Sequence, residues 1–422
     1  MNSLIQDITL IGSETPWLNT LRQQGRNLFS LPTPKTESWK YTKLRELNDI
    51  SFTLHPHEIK SSYNKEDRGF DCYQITFING VFNPFDSILP EDIKVVPLIE
   101  FLIEDEGCTC HKEVAKKTAK NTIFNKGIDL SKYPFAALNT AYLEEGVYIH
   151  IEKNTKLDKP VFLLNHTQTD ENILYNLRNL IHIGENSTVD FIEHYSHHGD
   201  IKSTYFSNHV TEINLSKGSV LNHYKLQTEA FYAYHIALTS IDAEESSIYN
   251  GFCLQKGAKI GRNETIIRLN GKNAKANVNA AYIMSGWATL DTTTDIIHLS
   301  PETYSNQNIK GVVGGDARGV FQGKIHIAKD AIKTEGKQLH KSLLLSNTAE
   351  VDCKPELEIF ADDVKCSHGA ASGELDEEQL FYLKSRGIGE DEAKQILIDA
   401  YFDELFSLIP NPDISSWLSS KI

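Results

Sequence analysis

GENSTVDFIEHY (residues 184–195) opens a series of four short segments built to one design. The others are SKGSVLNHYKL (216–226), AEESSIYNGFCL (243–254) and GKNAKANVNAAYI (271–283). Each sets a small polar turn before a run rich in β-branched, aromatic and alternating residues, the composition of a strand. Aligned on their first apolar strand positions, Val189, Val220, Ile248 and Val278, the segments stand 31, 28 and 30 residues apart. A degenerate repeat near thirty residues, made of strands and turns without helices, predicts a β-solenoid. In such a fold no coil buries its inner face except against its neighbours. A large β-sandwich also places turn signals between short strands, and spacing alone leaves that alternative standing.

On either side of the repeats the pattern changes. Residues 1–72 read as an N-terminal helical region and linker. WLNTLRQQGRNLF has apolar spacing of three to four, PTPKTESWKYTKLREL leads from a Pro-bounded connector into a second helix candidate, and residues 55–72 are polar and unpatterned. Strand character begins at YQITFINGVFNPF (73–85), whose Asn-Gly pair signals a hairpin turn. The β core is expected over 73–372, with a helical insertion near 110–145 around YPFAALNTAYLEEG. Residues 373–422 read as a C-terminal helical domain: Asp376 suits an N-cap and Gly387 a C-cap. In the helix that follows, Ala393, Ile396, Leu397, Ala400, Tyr401 and Leu405 recur as one apolar stripe, and Pro410 and Pro412 end it.

Composition narrows the function classes. Among 422 residues, 42 are Lys or Arg and 57 are Asp or Glu, a formal charge of −15. Such a field repels phosphate and argues against a nucleic-acid partner. No apolar run approaches the ~18 residues a membrane span needs, and the N-terminus lacks a basic stretch leading into an apolar block. The six cysteines at 72, 108, 110, 253, 353 and 366 are too scattered for a disulfide framework. Reduced thiols and a cytoplasmic location are expected.

Several residue groups invite chemistry. In FADDVKCSHGA (360–370), Phe360, Asp362, Val364, Cys366 and His368 share one face if the strand is unbroken. Cys366 and His368 then form half of an iron or zinc site, a nucleophile with its base, or two core side chains. Spacing alone favours the core reading over the metal, and the metal over the nucleophile, because groups at i and i+2 splay apart. No C-x-x-C occurs, so a metal cluster here needs ligands from another chain. Cys108, Cys110 and His111 stand in a polar stretch that suits an exposed loop better than a metal loop. His194, His197 and His198 read as a solvated rim at a turn. GGDARGVFQGKI (314–325) falls one residue short of a phosphate-binding loop and lacks its hydroxyl; its glycines read as tight solenoid corners, so no nucleotide is expected on this chain.

The run NIKGVVGGDARGVFQGKIHIAKDAIKTEGKQLHKSLLLSNTAEVDCKPELEIFADDVKCSHGAASGELDEEQLFYLKSRGI (308–388) resembles the SufB/SufD family of iron–sulfur cluster assembly scaffolds. PTPKTESWKYTKL (32–44), INGVFNP (78–84) and PFAALNTAY (134–142) extend the resemblance over nearly the whole chain, toward the SufD branch. One departure is visible: Ala371 and Ser372 stand where the family usually has Thr-Val.

The resemblance implies a mainly β fold, a right-handed parallel β-helix flanked by N-terminal and C-terminal α-helical regions. It implies a non-catalytic scaffold that meets a SufB-like paralogue through the β-helix and a SufC-like ABC ATPase through the C-terminal helices. There Asp391 and Lys394 are exposed candidates for contact. It further implies a transient iron–sulfur cluster or iron shared with the partner, with His368, and less strongly Cys366, among its ligands. A surface built to meet a paralogue also allows a homodimer of the isolated chain. Two rivals remain: a β-helix enzyme acting on carbohydrate, for which no acidic pair is evident, and a purely structural subunit without cluster ligands.

Overall fold

Nearly half of the chain, 47%, is strand passing back and forth between two ten-stranded sheets. In a computed structural model, residues 4–5, 9–54, 68–90, 93–103, 123–169, 171–199, 202 and 204–422 are described. One sheet runs Ile93–Pro97, Val147–Ile151, Ile173–Ile183, Phe206–Leu215, Tyr234–Ala243, Ile260–Leu269, Thr289–His298, Arg318–Ile327 and Glu350–Ile359, with Thr53–Leu54 beside the third. The other runs Val81–Ile88, Tyr73–Ile78, Val161–Thr167, Thr188–His197, Val220–Thr228, Ile248–Gln255, Lys275–Met284, Tyr304–Val313, Thr334–Leu344 and Val364–Glu374. From Ile173 onward successive strands belong to alternate sheets, and each pairs in parallel with the strand one coil away. This is a β-solenoid of about seven turns. The sandwich alternative is excluded, because a sandwich joins neighbouring strands antiparallel.

Parallel pairing in constant register stacks equivalent residues into columns. Ile181, Ile213, Ile241, Ile267, Ile296 and Ile325 form one column inside the first sheet, each 0–1% exposed. Asn179, Thr211, Thr239, Thr265 and Thr294 form the next inward column. Its hydroxyls meet polar residues of the facing sheet. Thr211 donates to Glu193 at 3.0 Å, Thr239 is bonded by Lys225, and Thr294 donates to Gln307 at 2.6 Å. The interior is therefore apolar along one side and polar along the other.

Helices cover the outer faces. At the N-terminal end, α1 (Pro16–Leu28), α2 (Leu98–Ile103) and α3 (Pro134–Ala141) pack on the first sheet together with the connector residues Trp39, Leu47 and Phe52. At the C-terminal end come α4 (Glu377–Ser385), α5 (Glu390–Phe406) and α6 (Pro412–Ser419). From α5 and α6, Phe402, Phe406 and Trp417 lie against Phe162, Tyr224 and Phe252 on the second sheet. The Asp376 carboxylate caps α4, accepting from the amides of Glu378 and Gln379 at 2.9 and 3.1 Å. Among the described residues, no helix is long and apolar enough to cross a membrane.

Several expectations need correction. The true register partners are Thr188, Val220, Ile248, Lys275 and Tyr304, at separations of 32, 28, 27 and 29. Alignment on apolar positions misplaced Val189 and Val278 because the polar first residues Thr188 and Lys275 already belong to the strands. The second N-terminal helix is two 3-10 turns, Glu37–Trp39 and Arg45–Asp49; buried Trp39 lies 4.1 Å from the Arg262 guanidinium and ties this segment to the sheet. The face of α5 that is buried carries Ala393, Ile398, Phe402, Leu405 and Phe406, whereas Ile396 is 40% exposed. Pro412 does not merely end a helix: it begins α6, with Asn411 as its cap.

Two outcomes follow for stability. Ile267→Ala empties a position packed by column neighbours on both sides, and about 2–5 kcal/mol of unfolding free energy should be lost in urea titrations. Burial holds the His194 imidazole down at about 3, and those of His298 and His340 at about 4. All three are neutral when folded but take up protons when unfolded, so their contribution is present above about pH 6.5 and is lost as pH falls below it. Each costs about 2 kcal/mol at pH 5, and the urea midpoint should fall between pH 7.5 and pH 5. An unchanged midpoint would contradict neutral burial.

Candidate functional site

The two ends of the solenoid differ. At the first end antiparallel strands Val81–Ile88 and Ile93–Pro97 close the sheets. At the last end, Glu350–Ile359 and Val364–Glu374 are terminal, and among the described residues no strand pairs with their outer edges. Each edge presents unpaired backbone donors and acceptors, a template for another chain. Beside it stand Phe360, 62% exposed, and the half-exposed His326, whose rings lie 5.3 Å apart.

Cys366 and His368 lie on the final strand. The expected face is only partly right, since the chain bends at Phe360–Asp363 between sheets and separates Phe360 and Asp362 from it. From Val364 on, alternation holds. Cys366 continues the inward column Leu221, Tyr249, Ala276, Ser305 and Gly336. His368 continues the column of Gln307 and Gln338. Both donors thus belong to the interior face of the last coil, where no further coil among the described residues covers them. Cys366 is half-buried beside Ile325, Leu357 and Val364, and His368 is exposed. Burial pushes the Cys366 thiol up, partly opposed by a backbone hydrogen bond from Gly336, so the resting group is protonated. A soft thiol and an imidazole on one face suit iron, but two donors leave a metal incomplete. Among the described residues, no group of three or more His, Cys, Asp or Glu side chains is placed to hold a metal.

The other candidates separate cleanly. Cys108, Cys110 and His111 lie outside the described residues. His194 is no rim residue: it is buried on its strand, bonds Thr228 at 3.0 Å and meets the Trp417 ring at 5.6 Å. His197 stacks on Tyr205 at 5.8 Å, and only His198 of the three is exposed. In GGDARGVFQGKI, Gly314 and Gly315 do form a corner, with φ +62° at Gly315. Gly319 and Gly323 instead lie within the strand Arg318–Ile327, leaving room for the Tyr282 ring and the Gln338 amide. Asp391 and Lys394 lie in the first turns of α5, where Lys394 bonds Glu390 at 2.8 Å.

Reasoning from sequence did not bring Gln338 beside His368, because that register is visible only once the coils are stacked. It also missed the exposed face of α4. No residue of that helix is buried, and Phe381 and Tyr382 are 73% and 56% exposed. An aromatic pair on a short capped helix was the available signal.

Comparison with known proteins agrees with this architecture. The family model described as SUF system FeS cluster assembly, SufBD core domain, matches residues 166–401, and that of the SufBD protein N-terminal region matches 6–163. An iron–sulfur cluster assembly SufBD family protein of Synechocystis is 30% identical, over 97% of this chain and 91% of the relative. The iron–sulfur cluster assembly protein SufD of Escherichia coli is 30% identical over 93% and 88%, and SufB of Bacillus subtilis 23% over 96% and 89%. With both halves matched and the solenoid in place, the chain belongs to the SufBD family of iron–sulfur cluster assembly proteins, in which it is a SufD homologue.

Proposed function

We propose that this chain is a non-catalytic scaffold subunit that holds iron or a nascent iron–sulfur cluster at the open end of its solenoid. The observation that carries this reading is the terminal coil itself. Cys366 and His368 face an end that no further coil covers among the described residues, between two strand edges unpaired there. A SufB-like paralogue, itself a SufBD-type chain, is the natural occupant. Its own last coil would offer matching edges and supply the remaining ligands. His368 contributes an imidazole lone pair and Cys366 a thiolate. Because burial keeps the thiol protonated, metal binding must displace that proton, which makes loading less favourable as pH falls.

ATP hydrolysis is assigned to a separate SufC-like ABC ATPase that docks on the C-terminal helices. Support comes from α4, none of whose residues is fully buried and which offers the exposed Phe381 and Tyr382 as anchors. Movement there has a route to the site. The Lys310 ammonium, on the strand Tyr304–Val313, bonds the Tyr401 carbonyl at 2.8 Å and Glu404 at 2.6 Å on α5. That strand lies two rungs from the one carrying His368.

In anaerobic purification of the complex, His368→Ala should keep both partners and lose about tenfold or more of the retained iron and sulfide. Parental iron and sulfide content would remove His368 from the ligands. Phe381→Glu should release the ATPase and keep the paralogue, as read by quantitative co-purification. Loss of both partners together would contradict the separation of the two surfaces.

A further inference from the structure

Several polar side chains that share a register position on neighbouring strands bond each other in this solenoid. Along the outside of the second sheet, Asn222 donates to Asp190 at 2.7 Å, and Asn250 to Asn222 and Asn277 to Asn250 at 2.8 Å. The last two strands of that sheet do the same. Lys365 bonds Glu335 at 3.2 Å, and Ser372 and Ser342 stand 2.9 Å apart. Between these two pairs lies a third register pair, His368 beside Gln338.

That pair is not joined. Both Oε1 and Nε2 of Gln338 lack a hydrogen-bond partner although the residue is only 3% exposed. A buried carboxamide with neither atom satisfied is costly, and native interiors hold few of them. The facing position makes deliberate room for it: at Gly323 any side chain would occupy the volume of the Gln338 amide. Leu or Met at 338 would fill that space without unpaired polar atoms. An amide on the rung next to His368 therefore points to a use at the open end.

We propose that Gln338 is the positioning residue of His368. Rotation of the two side chains on their shared rung brings its Oε1 to one imidazole N–H, which fixes the tautomer and turns the other ring nitrogen, with its lone pair, toward the partner-facing end. A neutral imidazole carries one N–H and one lone pair, so an acceptor on one nitrogen decides which nitrogen binds metal. A ligating histidine almost always gives its second N–H to such an acceptor. Gln338 supplies it without adding charge to the interior. The inference rests on the reading of His368 as a ligand for iron or the nascent cluster.

The test uses the full chain labelled with [15N]histidine at about pH 8, where an ordinary imidazole is neutral. The His368 ring signals are identified by their loss in His368→Ala. The wild-type chain should show one tautomer; Gln338→Leu should show a mixture while still melting cooperatively; Gln338→Glu, which keeps an acceptor, should restore a single tautomer. In the purified complex, Gln338→Leu should weaken iron retention about 10- to 100-fold. Identical His368 shifts in wild type and Gln338→Leu would overturn the assignment of Gln338. A changed tautomer, with iron retention unaffected by His368→Ala, would uphold that assignment and remove the ligand reading instead.

Discussion

Constant register between parallel coils is the constraint on which this molecule depends. No coil of about thirty residues has an inside of its own, so each isoleucine of the Ile181–Ile325 column is buried by the coils before and after it. The same register that stacks apolar residues stacks polar ones. Threonines meet Glu193, Lys225 and Gln307 across the interior, and asparagines form a bonded row outside. One rule thus supplies cohesion and also fixes, to within a rung, which side chains can meet.

A structure built by stacking must end somewhere, and its ends are where function can be placed. The first end is closed by antiparallel strands and by helices packed outside them. The last end remains open, and on it the chain places a thiol and an imidazole in inward columns with no described strand above them. That arrangement is a poor way to finish a monomer, because among the described residues it leaves strand edges, a thiol and an imidazole uncovered. It is a good way to share a site with a related chain. The C-terminal helices then pack back along the second sheet, so a surface far along the sequence from the repeats is mechanically tied to the strands beside that end.

Much of this was legible in the sequence. The turn-and-strand segments pointed to a solenoid while leaving a β-sandwich open, and the Asn-Gly hairpin and the Asp376 cap were correctly placed. Register was not legible, because polar residues such as Thr188 and Lys275 sit inside strands when their neighbours demand it. For the same reason the face of Cys366 and His368 was found, but the bend before Val364 was not. His194 looked like a surface histidine among others, and only the packing of α6 reveals it as core. Gln338 carried no signal at all, since its significance is a relation between strands thirty residues apart in sequence.

The most direct measurement is the position of iron in the intact complex, from anomalous scattering at the iron absorption edge of crystals grown without oxygen. An iron peak within bonding distance of a ring nitrogen of His368, at the junction of the two terminal coils, is the expected result. Iron bound wholly by the paralogue, with the His368 imidazole remote from it, would contradict the assignment of this chain's open end as half of the assembly site.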